Sequence, residues 1–330
     1  MEYLKPHLTF NEQLEKLEGR GLVVNDRREA IHALKRIGYY RLSAYWYPLR
    51  LIDVTGTEAR RRLDEFHPDA TFDNVIRLYE FDAKLRSVLM QGLADLEIAL
   101  RVRLAYNLGK IDPFGHLKPD LLDRGTTDEP SQTYDGTNYE AWRARYDKLC
   151  QESSNEDYVK HFREKYDGRL PIWTATELMD FGAIVRLIGF LPARDQQKIA
   201  GAFGLKRATD LISWSRSLNV VRNHCAHHAR MWNRSIPYPP AKVRANVVPD
   251  RMAHLAETKK ENIARVYYLA ALLAGLLVQI VPATNWPRTF KTQARKLPEI
   301  QQVASLNVMG FPEAWESLDL WNYSPPASRA

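Results

Sequence analysis

Apolar residues recur with a helical period along most of this chain. In NDRREAIHALKRIG, residues 25–38, they fall at Ala30, Ala33, Leu34 and Ile37, which is the i, i+3, i+4, i+7 spacing of one helix face. Asn25 or Asp26 can cap that helix, and Gly38 ends it. A longer helix is predicted after Thr71, from Phe72 to Gly109, with no proline inside it. Val75, Ile76, Tyr79, Leu89, Leu93, Leu96 and Leu100 drift along one side, as in a bundle helix. Helix resumes over PIWTATELMDFGAIVRLIGFLP, between Pro171 and Pro192, then from about Ala208 to Met231, then near residues 260–281.

Between these segments the pattern weakens. YYRLSAYWYPLR puts Tyr39, Tyr40, Tyr45, Trp46 and Tyr47 around Arg41 and before Pro48. Such a block can stack unpaired bases, but the weight falls on an aromatic plug that locks the first helix onto the following domain. Residues 50–70 read as a turn-rich connection with a hairpin candidate at Val54–Thr57. In the weakly periodic stretch 112–168, GTTDEPSQTYDGTN (125–138) predicts an exposed insertion or mobile loop, followed by helices at about Tyr139–Cys150 and Asp157–Tyr166. Asp180-Phe-Gly182 has no accompanying kinase motifs and reads as helix filler.

The expected fold is therefore all-α. A helical and aromatic appendage (1–70) precedes a helical domain (71–281) that carries the insertion at about 112–168, and 282–330 forms a poorly structured tail. Composition agrees with a globular chain: 330 residues, 45% hydrophobic and 26% charged. Cys150 and Cys225 are too far apart in sequence to suggest a disulfide framework, which fits a reducing cytoplasm. No secretion signal is legible at the N-terminus. The apolar run Val266–Val281 is shorter than the roughly 20 residues of a membrane span and reads as a buried helix.

Charge narrows the choice of partner. The net charge is +7. Lys206, Arg207, Arg216, Arg222, Arg230 and Arg234 face only Asp210 between Leu205 and Ser235, a local charge of +5. A second basic run comprises Arg288, Lys291, Arg295 and Lys296. Either is a solvated basic face or a contact for an acidic partner.

Within the first run stands VVRNHCAHHARMWN, residues 220–233, with histidines at 224, 227 and 228. Three chemistries compete for it. His224 and His228 have the i, i+4 spacing of a metal pair but lack an obvious third ligand. His227, His228 and Arg230 would also suit the carbonyl end of a helix. Finally, an arginine that holds a phosphate beside a histidine that moves a proton can drive a ribose 2′-OH onto its own phosphate. Arg222 and His227, however, point about 140° apart on a straight helix. They converge only if the helix turns near His227 or if two chains share a site. On the long helix, Glu97 and Arg101 are one turn apart, acid first. They form either a surface pair or a group that sets Arg101 or Arg103 beside Arg222.

Arg222-Asn-His-Cys-Ala-His227 matches the R-x4-H signature of HEPN ribonucleases. In order, IGYYRLSAYWYPLR, YEFDAKLRSVLMQGLADLEIALRVRLAYNLG, PIWTATELMDFG and VVRNHCAHHARMWNR resemble the Abi-like abortive-infection family, the AbiD and AbiF group, over roughly residues 10–280. That resemblance implies a HEPN-like helical bundle, phage defence by RNA cleavage, and a site composed across a homodimer. It also implies similarity to the HEPN modules of RNA-guided type VI CRISPR effectors and, for some members, a small non-coding RNA partner. On it, Arg222 and His227 are catalytic and Asn223 is their polar support. His224, His228, Glu97 and Arg101 are candidate supporting groups, and Arg103, Lys206, Arg207, Arg216, Arg230 and Arg234 are candidate RNA contacts. No cofactor or metal is expected. The alternatives are an RNA-binding regulator that does not cut and a metal-dependent nuclease.

Overall fold

The computed structural model describes residues 6–53, 61–166, 168–300 and 303–326. Thr9 and Glu12 form a capping box, a T-x-x-E signal, that starts α1 (Phe10–Glu18). Asp26 accepts from the Glu29 amide to start α2 (Arg27–Ile37). Gly38, at φ +93°, turns the chain directly into α3 (Tyr39–Trp46). The aromatic block is thus itself a helix. Tyr45 and Trp46 are buried as the plug reading expects, while Tyr40 and Tyr47 face solvent.

A short antiparallel ribbon follows, β1 (Arg50–Ile52) against β2 (Arg62–Phe66), pairing Arg50 with Phe66 and Ile52 with Arg62. The hairpin tip at residues 54–57 lies outside the described residues. Thr71 then caps α4 (Phe72–Gly109), within the bounds the sequence predicts. This helix is the spine: α3 packs on it, and so do the later helices described below, which makes an all-α bundle.

The insertion is more ordered than its composition suggests. After a short α5 (Arg124–Thr127), the turn closes with Ser131 N on Gly136 O, and a Thr137–Glu140 capping box starts α6 (Asn138–Glu152). Next comes α7 (Asp157–Lys165). The single helix expected between Pro171 and Pro192 is broken into α8 (Ile172–Leu178) and α9 (Phe181–Phe190). Asp180 causes the break, because its Oδ1 accepts from the Ala183 amide at 2.8 Å and so begins a new helix. It is a cap rather than filler. Pro192 then opens α10 (Ala193–Ala202), which had no counterpart in the sequence reading.

The basic helix, α11 (Ala208–Ala226), stops before the expected Met231. The apolar run forms α12 (Val266–Ile280), buried on nearly every side against α4. Among the described residues no helix is long and apolar enough to cross a membrane. The expectation of a poorly structured tail beyond Pro282 is corrected. Its first part is α13 (Trp286–Ala294), seated on α4 where Gly92 leaves room for the Trp286 indole, which donates to Val88 O at 2.8 Å. Trp321 stacks on Phe290 with ring centres 5.1 Å apart, and Trp315 and Phe311 pack beside them. These aromatics are spaced without a period, so the segment buries rings without a helical or strand rhythm. Part of the second basic run clamps this tail: Lys291 donates to Glu316 O at 2.6 Å, and Arg295 pairs with the Glu316 carboxylate.

One polar knot ties three parts of the bundle. Asp82 of α4 is fully buried; it accepts from Tyr45 Oη at 2.7 Å, from Arg86, from the Met231 amide at 3.1 Å and from the Trp232 amide at 2.7 Å. Burial pushes its carboxyl pKa up, and Arg86 and the other donors pull it back. Removing the carboxylate strands Arg86 and two amides. Asp82→Ala is therefore expected to lose about 3–5 kcal/mol in guanidinium unfolding, with Asp82→Asn in between; a loss under about 1 kcal/mol, the net worth of one ordinary hydrogen bond, would contradict this role.

A second buried polar group sits in the insertion. His116 is inaccessible, edge-on to Tyr146 (5.3 Å) and Trp142 (6.5 Å), and neither ring nitrogen has a hydrogen-bond partner among the described residues. Burial, aided by the Arg143 charge, pushes its pKa down to about 4. The unfolded ring takes up a proton near pH 6.5, so the folded chain is fully stable above that pH and loses stability as pH falls toward about 4. The expected loss is roughly 3 kcal/mol over that window, and His116→Phe should flatten this part of a stability profile measured against pH.

Candidate functional site: the cleft at the end of α11

The last turn of α11 decides where His227 goes. His227 is the helix-end residue, and His228 adopts a left-handed conformation at φ +55°. Two bonds close the reversal: His228 N to Cys225 O at 3.1 Å and Ala229 N to His224 O at 2.8 Å, the pattern that normally employs glycine. A histidine there costs about 1 kcal/mol. The cost is offset from outside the helix, where Arg41 of α3 donates to the His228 carbonyl at 2.8 Å, Arg230 donates to Ala44 O, and Asp82 holds the next two amides.

His227 keeps its helical bond to Asn223 O at 3.0 Å, so the chain turns only after it, and what Arg222 and His227 share is the lining of one broad cleft. Arg222, Asn223 and His227 line a single open cleft of about 810 Å³, together with Arg216 and Asn219 of α11. The start of α9 (Asp180 to Ala183, and Arg186) and α6 of the insertion (Trp142, Arg145) form its other walls. His227 is solvent-exposed at the rim.

Arg222 is held from beneath. Its Nε lies 3.7 Å from Glu97 Oε2, an ion pair without a hydrogen bond, and its Nη1 is 3.5 Å from Asn223 Oδ1. Glu97 is buried; its other oxygen accepts from Arg101 Nη2 at 2.6 Å, and the same Arg101 nitrogen also donates to Met179 O at 2.9 Å. Glu97 and Arg101 are therefore an internal pair rather than a surface one, with Glu97 shared between two arginines. Arg103 lies exposed on α4 and outside the cleft.

The remaining sequence candidates scatter. His228 leaves the helix face and opens beside Arg41 and Arg86, so its i, i+4 register with His224 is lost. His224 is half-buried; burial first, then the charges of Arg234 and His227, push its pKa below the ordinary histidine value. Among the described residues no three His, Cys, Asp or Glu side chains gather as a metal-binding group. Lys206 donates to Asn246 O, Arg207 stands 3.9 Å from Asp210, and Arg234 donates to Arg230 O. Arg230, more than half-buried, serves the turn instead of the cleft, because beyond Ala226 the chain no longer follows the helical register.

The sequence expectations leave out five polar cleft residues, Glu129, Asn138, Arg145, Arg186 and Asn219, and take Asp180 for helix filler. Two had a signal. Arg186 is the one charge in an apolar helix, and Arg216, Asn219 and Asn223 keep the i, i+3, i+7 spacing of a polar stripe. Arg145 and Asp180 had none, since only tertiary packing brings α6 to α9.

The family model for Abi-like protein matches residues 32–233. No curated protein and no solved structure matches the chain. The matched span runs from α2 through the turn after α11, and so includes the spine helix, every cleft wall and the knot at Asp82. On that match, covering more than half of its length, the chain belongs to the Abi-like protein family.

Proposed function

We propose that this protein is a metal-independent endoribonuclease of a bacterial abortive-infection system, acting in the cytoplasm. The observation that carries the reading is that Arg222 and His227 open onto one cleft while a buried carboxylate holds the arginine. Arg222 binds the scissile phosphate and meets the charge that grows on it. Asn223 offers an amide beside that guanidinium. His227, exposed on the cleft, takes the proton of the ribose 2′-OH as O2′ attacks phosphorus. The P–O5′ bond breaks and the proton passes to the leaving 5′-oxygen. The products are a 2′,3′-cyclic phosphate and a 5′-OH, and DNA, which lacks the nucleophile, is not cut.

Cleavage of RNA in EDTA should leave 2′,3′-cyclic phosphate ends, and Arg222→Ala and His227→Ala should each slow it by about 100-fold or more without changing the unfolding midpoint. Wild-type rates in both variants, or 3′-OH ends, would overturn the reading. Salt-sensitive binding with no product would instead favour an RNA-binding regulator, such as one associating with a small non-coding RNA.

A homodimer completes the proposal, and α4 carries a face suited to it. Ile98, Val102 and Tyr106, at successive i+4 positions, are more than half exposed and adjoin the exposed Trp173. This stripe lies one residue round the helix from Glu97 and Arg101. Two α4 helices crossing antiparallel about Val102 would set Ile98 of one copy against Tyr106 of the other, and Asp95 beside Lys110. Sedimentation velocity should find a dimer that Val102→Arg converts to monomer; a wild-type monomer at micromolar concentration would remove this element.

A further inference from the structure

The cleft extends well beyond the Arg222–His227 pair, and its far wall carries its own cations. Arg145 reaches in from α6 and places both Nε (3.1 Å) and Nη2 (2.8 Å) on Asp180 Oδ2. The other oxygen of Asp180 caps α9 through the Ala183 amide. Arg186 projects from α9 into solvent. Arg216 lies across α9, its Nη2 3.4 Å from where a Cβ on Gly189 would stand. Among the described residues neither Arg186 nor Arg216 has a carboxylate at ion-pair distance, whereas Arg145 is held by Asp180 and Arg222 by Glu97.

Along α11, Arg216 and His227 are separated by roughly 16 Å at the helical rise of 1.5 Å per residue. One phosphate cannot reach both. We infer that Arg145, Arg186 and Arg216 form a second phosphate subsite for the strand running on from the scissile bond, with Asp180 occupying Arg145 until a phosphate displaces it. This rests on the cleft being the RNA site proposed above, and adds a grip on the strand a few nucleotides from the scissile bond, supplied in part by the insertion. Of the aromatics in this cleft, Phe181 and Phe190 are buried, and Trp142 is buried, stacked on Tyr146, and donates its indole N–H to Ala183 O, so none offers a free face to a base. The subsite therefore reads backbone charge and not sequence.

Asp180→Asn separates the two jobs of that side chain, because asparagine keeps a capping oxygen for α9 and removes the charge that holds Arg145. The measurement is fluorescence anisotropy of a labelled single-stranded oligoribonucleotide, across a salt series, with His227→Ala as the parent protein so that nothing is cut. Arg145→Ala should weaken binding about tenfold and lower the slope of log affinity against log salt by about one. Asp180→Asn should tighten binding several-fold; Asp180→Ser, which also caps, serves if the asparagine variant unfolds early. Parent-like binding in the Arg145 and Asp180 variants, alongside weakening by Arg222→Ala, would overturn the second subsite and leave the cleavage reading standing. Arg145-dependent binding of both RNA and a DNA oligonucleotide of the same sequence, with no RNA cleavage by the wild-type chain, would sustain the subsite and sink the nuclease. No binding of either oligonucleotide at low salt would overturn both.

Discussion

The carboxylate of Asp82 is the point on which the site depends. It is buried in the middle of the bundle, where an unpaired charge is costly, and it is satisfied by groups from three separate parts of the chain: Tyr45 of α3, Arg86 of α4, and the Met231 and Trp232 amides beyond α11. Those amides belong to an irregular segment with no helix to satisfy them. Asp82 supplies what the helix would have supplied, and so permits α11 to end at Ala226. The strained His228 is tolerated for the same reason, because Arg41 and Arg230 pin the turn against α3 on either side of it.

The spine helix repeats this device farther along. Asp82 with Arg86 and Glu97 with Arg101 are both acid-first i, i+4 pairs with a buried carboxylate, and each carboxylate reaches beyond its own helix to a group of α11 or its following turn. One pins the chain that leaves α11 after His227. The other sets the guanidinium of Arg222. An arginine and a histidine five positions apart thus line one cleft on a segment that α4 fixes both at the arginine and beyond the histidine. The family match spans both pairs and the segment they hold.

Much of this was readable in one dimension. Thr71 and Gly38 marked helix limits through side-chain capping and glycine's access to positive φ, both local effects. The burial of α12 followed from its uninterrupted apolar run. The break at Asp180 was also local, an N-cap hidden inside an apolar segment whose period continued across it. The C-terminal aromatics were not readable, since Trp286, Phe290, Trp315 and Trp321 pack by meeting in space and carry no periodic spacing. Of the candidate cations only Arg216 and Arg222 reach the cleft, because charge density along a sequence does not say which way each side chain leaves a helix.

What the sequence determined by itself was the helical character of the chain, the long spine, and the basic segment that carries Arg222 and His227. Each follows from interactions among residues a few positions apart: hydrophobic period, capping and local charge. What only the tertiary structure decided was which side chains of that segment line the cleft and what faces them. The end of α11 is set by a carboxylate about 150 positions earlier in the chain, and the opposite wall of the cleft comes from an insertion whose local pattern is weak. Contacts between residues that far apart depend on how helices pack, and packing is settled by the shape and burial of whole faces, which no local spacing encodes.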